Sequence, residues 1–297
     1  MSSSINIIFD IRNTNYFNRN IISGKVNKYL RLFRFGNGVM GILGVVIGAF
    51  IAIGFDIQNY VPELIAACFV VIAFIAGGNS LNDYIDREID LTGHPDRPIP
   101  MKEIAPRTAL YLGISGLSIA VIISFFLGNL ETTATVLIAA LLMIGYETVL
   151  KQRGFIGNLT IAILTGMVFL FGASVVNHVE SNYIIAAMAM LVSVGREIAK
   201  DIEDVASDKG ERKTLPMSIG VKNASIIASI FFIAGPVLSI WPILDNTFGW
   251  MYCIVFVADA IFIYVSMIVF KDAHKAEKLA KIAMMIALVA FILGVIQ

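Results

Sequence analysis

Apolar stretches long enough to cross a bilayer recur along this 297-residue chain, with only short polar breaks between them. No other feature restricts its folding as much. A backbone surrounded by hydrocarbon must satisfy its own N–H and C=O groups, and these segments are too long and too evenly apolar for barrel strands. They are therefore predicted to be helices, at roughly 36–54, 62–85, 106–127, 132–149, 156–177, 182–203, 222–242, 248–270 and 276–296. Hydrophobic residues make up 58% of the chain and charged residues 15%, an excess that excludes a soluble core. The expected fold is all-α and integral to the membrane. Residues 1–24 read as a polar or interfacial segment, and 25–297 as one transmembrane domain. The N-terminus has no basic region leading into a long apolar run, so no cleaved signal peptide is expected. Cys68 and Cys253 fall inside apolar runs and read as small core hydrophobes.

The placement of charge orients the bundle. Walking through nine helices divides the connections and adjoining helix ends into two sets. All 22 lysines and arginines fall in one set. Arg12, Arg19, Lys25, Lys28, Arg31 and Arg34 precede or open the first helix, and Arg87, Arg97, Lys102 and Arg107 follow the second. Lys151 and Arg153 follow the fourth, and Arg196, Lys200, Lys209, Arg212, Lys213 and Lys222 surround the sixth connection. Lys271, Lys275, Lys278 and Lys281 follow the eighth. The other set holds only acids, among them Asp56, Glu63, Glu131, Glu180 and Asp245. The positive-inside rule then predicts a multi-pass protein of the cell membrane with a cytoplasmic N-terminus and an external C-terminus. A basic cytoplasmic face suits anionic membrane lipids or phosphorylated substrates, and nothing points to nucleic acid.

Two clusters of acids lie on that face. The second helix ends in NSLNDYIDREID and the sixth in GREIAKDIEDVASD, each containing D-x-x-D-x-x-x-D. The first comprises Asp83, Asp86 and Asp90, the second Asp201, Asp204 and Asp208. At about 100° per residue, offsets of 0, 3 and 7 span about 60° of arc, so each trio forms one stripe on a helix. Asn82 adjoins the first stripe and adds an oxygen ligand. Stripes brought together would repel unless cations neutralise them, and hard oxygen donors suit Mg²⁺. Arg87, Arg97, Lys151, Lys200 and Lys209 lie on the same face, and metal plus arginine and lysine is what a diphosphate requires. Solvated charges at helix ends are the plain alternative, but they leave the matching spacing unexplained.

At these residues the chain resembles the UbiA superfamily of intramembrane prenyltransferases. The family motif NDxxDxxxD is complete at Asn82, Asp83, Asp86 and Asp90, and DxxxD falls at Asp204 and Asp208. The YxxxLK feature is represented by Tyr146 through Leu150 and Lys151. The resemblance implies nine transmembrane helices around a central cavity, with a polar cytoplasmic mouth and an apolar tunnel. It implies that Mg²⁺ joins Asn82, Asp86, Asp204 and Asp208 to a prenyl diphosphate, with Asp83, Asp90 and Asp201 close by. Lys151 would bind diphosphate and Tyr146 would lie near the allylic carbon. Arg34 and Asn37 resemble a family arginine and asparagine, although the proline usual after that arginine is Phe35 here. The stretch from Arg196 to Pro216 looks most like the archaeal branch that transfers a geranylgeranyl group from geranylgeranyl diphosphate to a lipid-phosphate acceptor, geranylgeranylglyceryl phosphate.

Two other readings compete. An enzyme of the same superfamily with an aromatic acceptor would carry the same motifs, and a membrane transporter would also use intramembrane acids. His94, His178 and His274 are too scattered for a zinc site. Asp259 falls midway along the eighth helix, where a carboxylate is costly, and the sequence leaves open whether it faces a cavity or a polar neighbour.

Overall fold

A computed structural model describes residues 25–205 and 214–296. Every apolar segment is helical: α1 (Phe35–Ile53), α2 (Val61–Ile85), α3 (Pro106–Phe126), α4 (Leu130–Thr148), α5 (Phe155–Val175), α6 (Tyr183–Asp204), α7 (Val221–Ser239), α8 (Val255–Ile268) and α9 (Ala273–Ile296). Eight spans are long and apolar enough to cross a membrane, and the first, Phe35–Ile85, contains both α1 and α2. A 3-10 segment, Gly54–Tyr60, turns the chain between those two. Local sequence sets several starts. Pro106 opens α3 where its missing N–H costs nothing. The Asn129 carboxamide caps α4 by accepting from Thr132 N at 2.6 Å.

Two boundaries differ from expectation. The eighth helix was expected from 248, but Gly249 is extended and Trp250–Ile254 forms a 3-10 turn before α8. The seventh ends at Ser239, ahead of a separate short helix at Trp241–Leu244. Among the elements not anticipated, an amphipathic helix, Lys25–Leu32, lies before α1. Its Leu32 is buried with Ile99, Ile104 and Ala109. Lys28 donates to Glu103 O at 3.0 Å, and Arg31 pairs with Glu103 at 2.9 Å.

The packing inverts the soluble pattern. Phe69, Tyr111, Phe125, Leu141, Val237 and Met267 are exposed, whereas Ala49, Ala67, Ala120, Ala162 and Ala228 are fully buried. Lipid is as apolar as leucine, so helices associate where small residues let backbones approach. A Cβ on Gly116 would stand 2.7 Å from Ala73 O of α2, and one on Gly172 would collide with Val45 O of α1. Cys253 corrects the expectation of a core cysteine, since it is exposed; Cys68 is half-buried, and neither is paired.

One apolar core unites α1–α5 and a second unites α6–α9 with Ala162 of α5. Between them lies a cavity of about 550 Å³, walled by every long helix except α3. Asn37 of α1, Phe74 and Ile75 of α2, and Met188 and Val192 of α6 are among the residues that line it.

Candidate active site

The first acidic motif sits where α2 stops. Helical geometry ends at Ile85, but Asp86 N still donates to Asn82 O and Asp90 N to Asp86 O, carrying the chain into a short helix at Asp90–Gly93. The offsets of the motif survive the break. Asp83, Asp86 and Asp90 are all buried, at 2%, 3% and 2% exposure, so none is a loose surface charge.

Each buried acid meets a cation, because an unpaired carboxylate there is costly. Asp83 and Asp90, seven residues apart and so on one face, share Arg97, whose guanidinium lies 2.7 Å from Asp90 and 3.5 Å from Asp83. Arg34 donates to Asn82 Oδ1 at 2.8 Å and Asp83 Oδ1 at 2.9 Å. Arg34 is left-handed, with φ 50° and ψ 62°, and this break between the Lys25–Leu32 helix and α1 turns its side chain onto α2. Strain of this kind is concentrated at functional sites. Asp86 faces the other way: Lys151 Nζ lies 2.5 Å from its Oδ1, and Asn82 Nδ2 donates to its Oδ2 at 3.1 Å.

Glu147 completes the cluster and escaped the sequence reading. It is buried, pairs with Lys151 at 2.9 Å and accepts from Asn82 Nδ2 at 2.9 Å. The signal was present, since Glu147 precedes Lys151 by four residues at a helix end. Tyr146, beside it, is half-buried at the end of α4.

The second motif occupies the end of α6. Asp201 accepts from Asn158 Nδ2 at 2.8 Å, and Asp204 is the last residue of the helix. No pattern in the sequence singled out Asn158. Asp208 and Lys209 lie outside the described residues. Higher on α6, Arg196 joins Glu197 at 2.6 Å and Glu277 of α9 at 3.2 Å, tying the last helix to the motif.

One connection joins the two motifs. Lys151 reaches Asp86, and Asn158, seven residues on, reaches Asp201. Seven residues span at most about 25 Å even fully extended, so both motifs stand at the same end of the bundle. Both helices also wall the cavity below. Arg87 lies over the Tyr84 ring and pairs with Glu88, and Lys200 is exposed next to Asp201, whose carboxylate its charge favours.

Among the described residues no three acids or histidines converge as a metal centre, and the first motif's acids are instead held by Arg34, Arg97 and Lys151. The first stripe is thus neutralised by cations, as juxtaposed carboxylates require. The donor set still suits a hard divalent ion shared with a ligand. Asn82, Asp86, Asp201 and Asp204 offer only oxygen, with neither thiolate nor imidazole at the site.

The sequence model of the UbiA prenyltransferase family matches residues 41–292. The chain belongs to the UbiA prenyltransferase family. Among its relatives is the digeranylgeranylglyceryl phosphate synthase of Methanosphaera stadtmanae, 37% identical over 276 residues covering 91% of this chain and 99% of that one. The Methanosarcina mazei protein of the same name is 34% identical, covering 92% and 100%. A solved structure concerned with digeranylgeranylglyceryl phosphate synthase in membranes superposes with TM-score 0.81 at 34% identity, covering 92% of this chain and 99% of the other. A UbiA homolog from Archaeoglobus fulgidus bound to GPP and Mg²⁺ shares the fold, with TM-score 0.68 at 16% identity over 90% and 98% of the two chains. The protein is thus a multi-pass membrane prenyltransferase of this family.

Proposed function

We propose that this protein transfers the geranylgeranyl group of geranylgeranyl diphosphate to the free hydroxyl of geranylgeranylglyceryl phosphate, forming the second ether bond of an archaeal membrane lipid. The observation that carries this reading is the pair of acidic motifs held at one end of an apolar cavity by the Lys151–Asn158 connection. The relatives' shared name, which is that of the product's synthase, supports this transfer, and the Archaeoglobus homolog's GPP and Mg²⁺ support a divalent ion.

Asn82, Asp86, Asp204 and Asp208 would hold Mg²⁺, with Asp83, Asp90 and Asp201 nearby. When bound, the ion supplies positive charge to the diphosphate oxygens. Lys151 and Arg34 take up the charge of the leaving group as the carbon–oxygen bond breaks. Asn37 and Arg97 line the approach to that position. The allylic carbon, beside Tyr146, becomes cationic in an apolar space that excludes competing water. The acceptor hydroxyl forms the new ether bond and gives its proton to a site carboxylate or to the departing diphosphate. The mouth faces the cytoplasm, where a water-soluble leaving group is released.

The test is transfer by purified protein supplied with geranylgeranyl diphosphate and geranylgeranylglyceryl phosphate. Ether product should appear with Mg²⁺ and vanish with a chelator. Transfer only to an aromatic acceptor in a parallel panel would move the enzyme to another branch of the family. Release of no diphosphate under any condition would overturn the enzymatic reading.

A further inference from the structure

The polar face of α2 begins one turn before its first aspartate. Asn79 precedes Asn82 by three residues and Asp83 by four. At about 100° per residue, both fall within about 60° of it, on either side. The chemistry above makes no use of Asn79. It is half-buried, and its Nδ2 donates to Phe33 O at 2.9 Å.

Phe33 lies in the break before α1. The Lys25–Leu32 helix has ended, and Arg34 takes the left-handed conformation before Phe35 opens α1. That conformation is unfavourable for a residue with a Cβ and persists only where its surroundings fix it. On one side of the break, Leu32 is fully buried with Ile99, Ile104 and Ala109. On the other, Asn37 N donates to Arg34 O at 2.7 Å. Neither contact bonds the break to the polar face of α2. Asn79 does so at the residue directly before Arg34, whose guanidinium then meets Asn82 Oδ1 at 2.8 Å and Asp83 Oδ1 at 2.9 Å. One face of α2 thus fixes both ends of Arg34: Asn79 holds its backbone, and Asn82 and Asp83 hold its guanidinium. Stability alone asks little of the first bond, since a carbonyl left over at a helix end can be hydrated. Its distinctive effect is on the direction in which Arg34 points.

We propose that Asn79 is a positioning residue, which by holding Phe33 O sets the Arg34 backbone so that the guanidinium reaches the Asn82–Asp83 pair. This inference rests on the prenyl-transfer reading, in which Arg34 takes up the charge of the leaving diphosphate. Asn79 touches no substrate itself. It acts through Arg34, so its removal matters only while position 34 is an arginine.

The experiment is a double-mutant cycle on kcat/KM for geranylgeranyl diphosphate, with geranylgeranylglyceryl phosphate as acceptor. It compares purified wild type, Asn79→Ala, Arg34→Ala and the double variant. Asn79→Ala should lower kcat/KM about 3–10-fold, the worth of one hydrogen bond. In the Arg34→Ala background the same change should have less than about a twofold effect, because the two act as one unit. Equal losses in both backgrounds would mean that Asn79 serves the fold at large, and would overturn the proposal. So would an unaltered kcat/KM in Asn79→Ala. Where Arg34→Ala is too slow to assay, the Kd for geranylgeranyl diphosphate completes the same cycle under the same criteria. Should Asn79→Ala fail to fold, Asn79→Ser, whose hydroxyl stops one bond short of Phe33 O, takes its place. A wild type that transfers no prenyl group overturns the underlying function instead.

Discussion

Lys151 carries more of the site than any other residue. Its ammonium lies between Asp86 and Glu147, both buried, and Asn82 bridges the same two acids from α2. Glu147 thus holds the proposed diphosphate cation, Lys151, and a proposed metal ligand, Asn82, in one geometry. Groups that orient ligands in this way typically cost about 10–100-fold when changed. Glu147→Gln should therefore lower kcat/KM by that order, with most of the loss in the KM for prenyl diphosphate, and Glu147→Asp should recover part of it. An unchanged KM would remove Glu147 from the site. Asp86→Ala and Asp204→Ala should each abolish turnover in defined Mg²⁺ while still yielding a folded, detergent-stable protein. Normal transfer by both purified variants would refute their assignment as ligands of the ion. Asp83 and Asp90 differ from Asp86 in kind, since Arg97 occupies both. Removing either leaves that guanidinium half-paired.

At the scale of elements, helix contact depends on absent side chains. Gly172 brings α5 against the α1 backbone, and α1 carries Arg34 at its entry. A methyl at position 172 meets Val45 O, so α1 must shift. Gly172→Ala should destabilise the protein by about 1–3 kcal/mol, the usual cost of overpacking. Thermal unfolding in detergent checks this against Gly36→Ala, where no atom lies within 4 Å of the added Cβ. Equal melting temperatures for the two would contradict the close packing. The connection from Leu150 to Asn158 is the other decisive element. A short 3-10 turn, Leu150–Gln152, and the first turn of α5 put one residue on each acidic motif.

Across the whole molecule, the sequence places every lysine and arginine on one side of the nine-helix walk, and an orientation follows from that charge alone. The N-terminus and the active-site mouth are proposed to be cytoplasmic, and the C-terminus external. In a variant with Cys68 and Cys253 replaced by serine, Asn246→Cys should react with a membrane-impermeant thiol reagent on intact cells, and Asp96→Cys should not. The reverse pattern would invert the topology. The same polarity explains the cavity. Acids and bases gather at one end of the bundle, and the described wall beyond them is almost wholly hydrocarbon.

The helices, their order and the two aspartate motifs were legible in the linear chain, because each depends on local composition or on a spacing shorter than two helical turns. Glu147 was half-legible, four residues from Lys151, but its bond to Asn82 joins residues 65 positions apart. Asn158 on Asp201, Arg97 shared by Asp83 and Asp90, and Asp259 on the cavity wall were not legible. Periodicity tells which residues share a face but not what that face meets. Which cation neutralises which acid, and which side of a membrane helix looks inward rather than at lipid, are decided only when backbones approach. In lipid that approach is governed by small residues at interfaces, and hydrophobicity gives no inward direction to read.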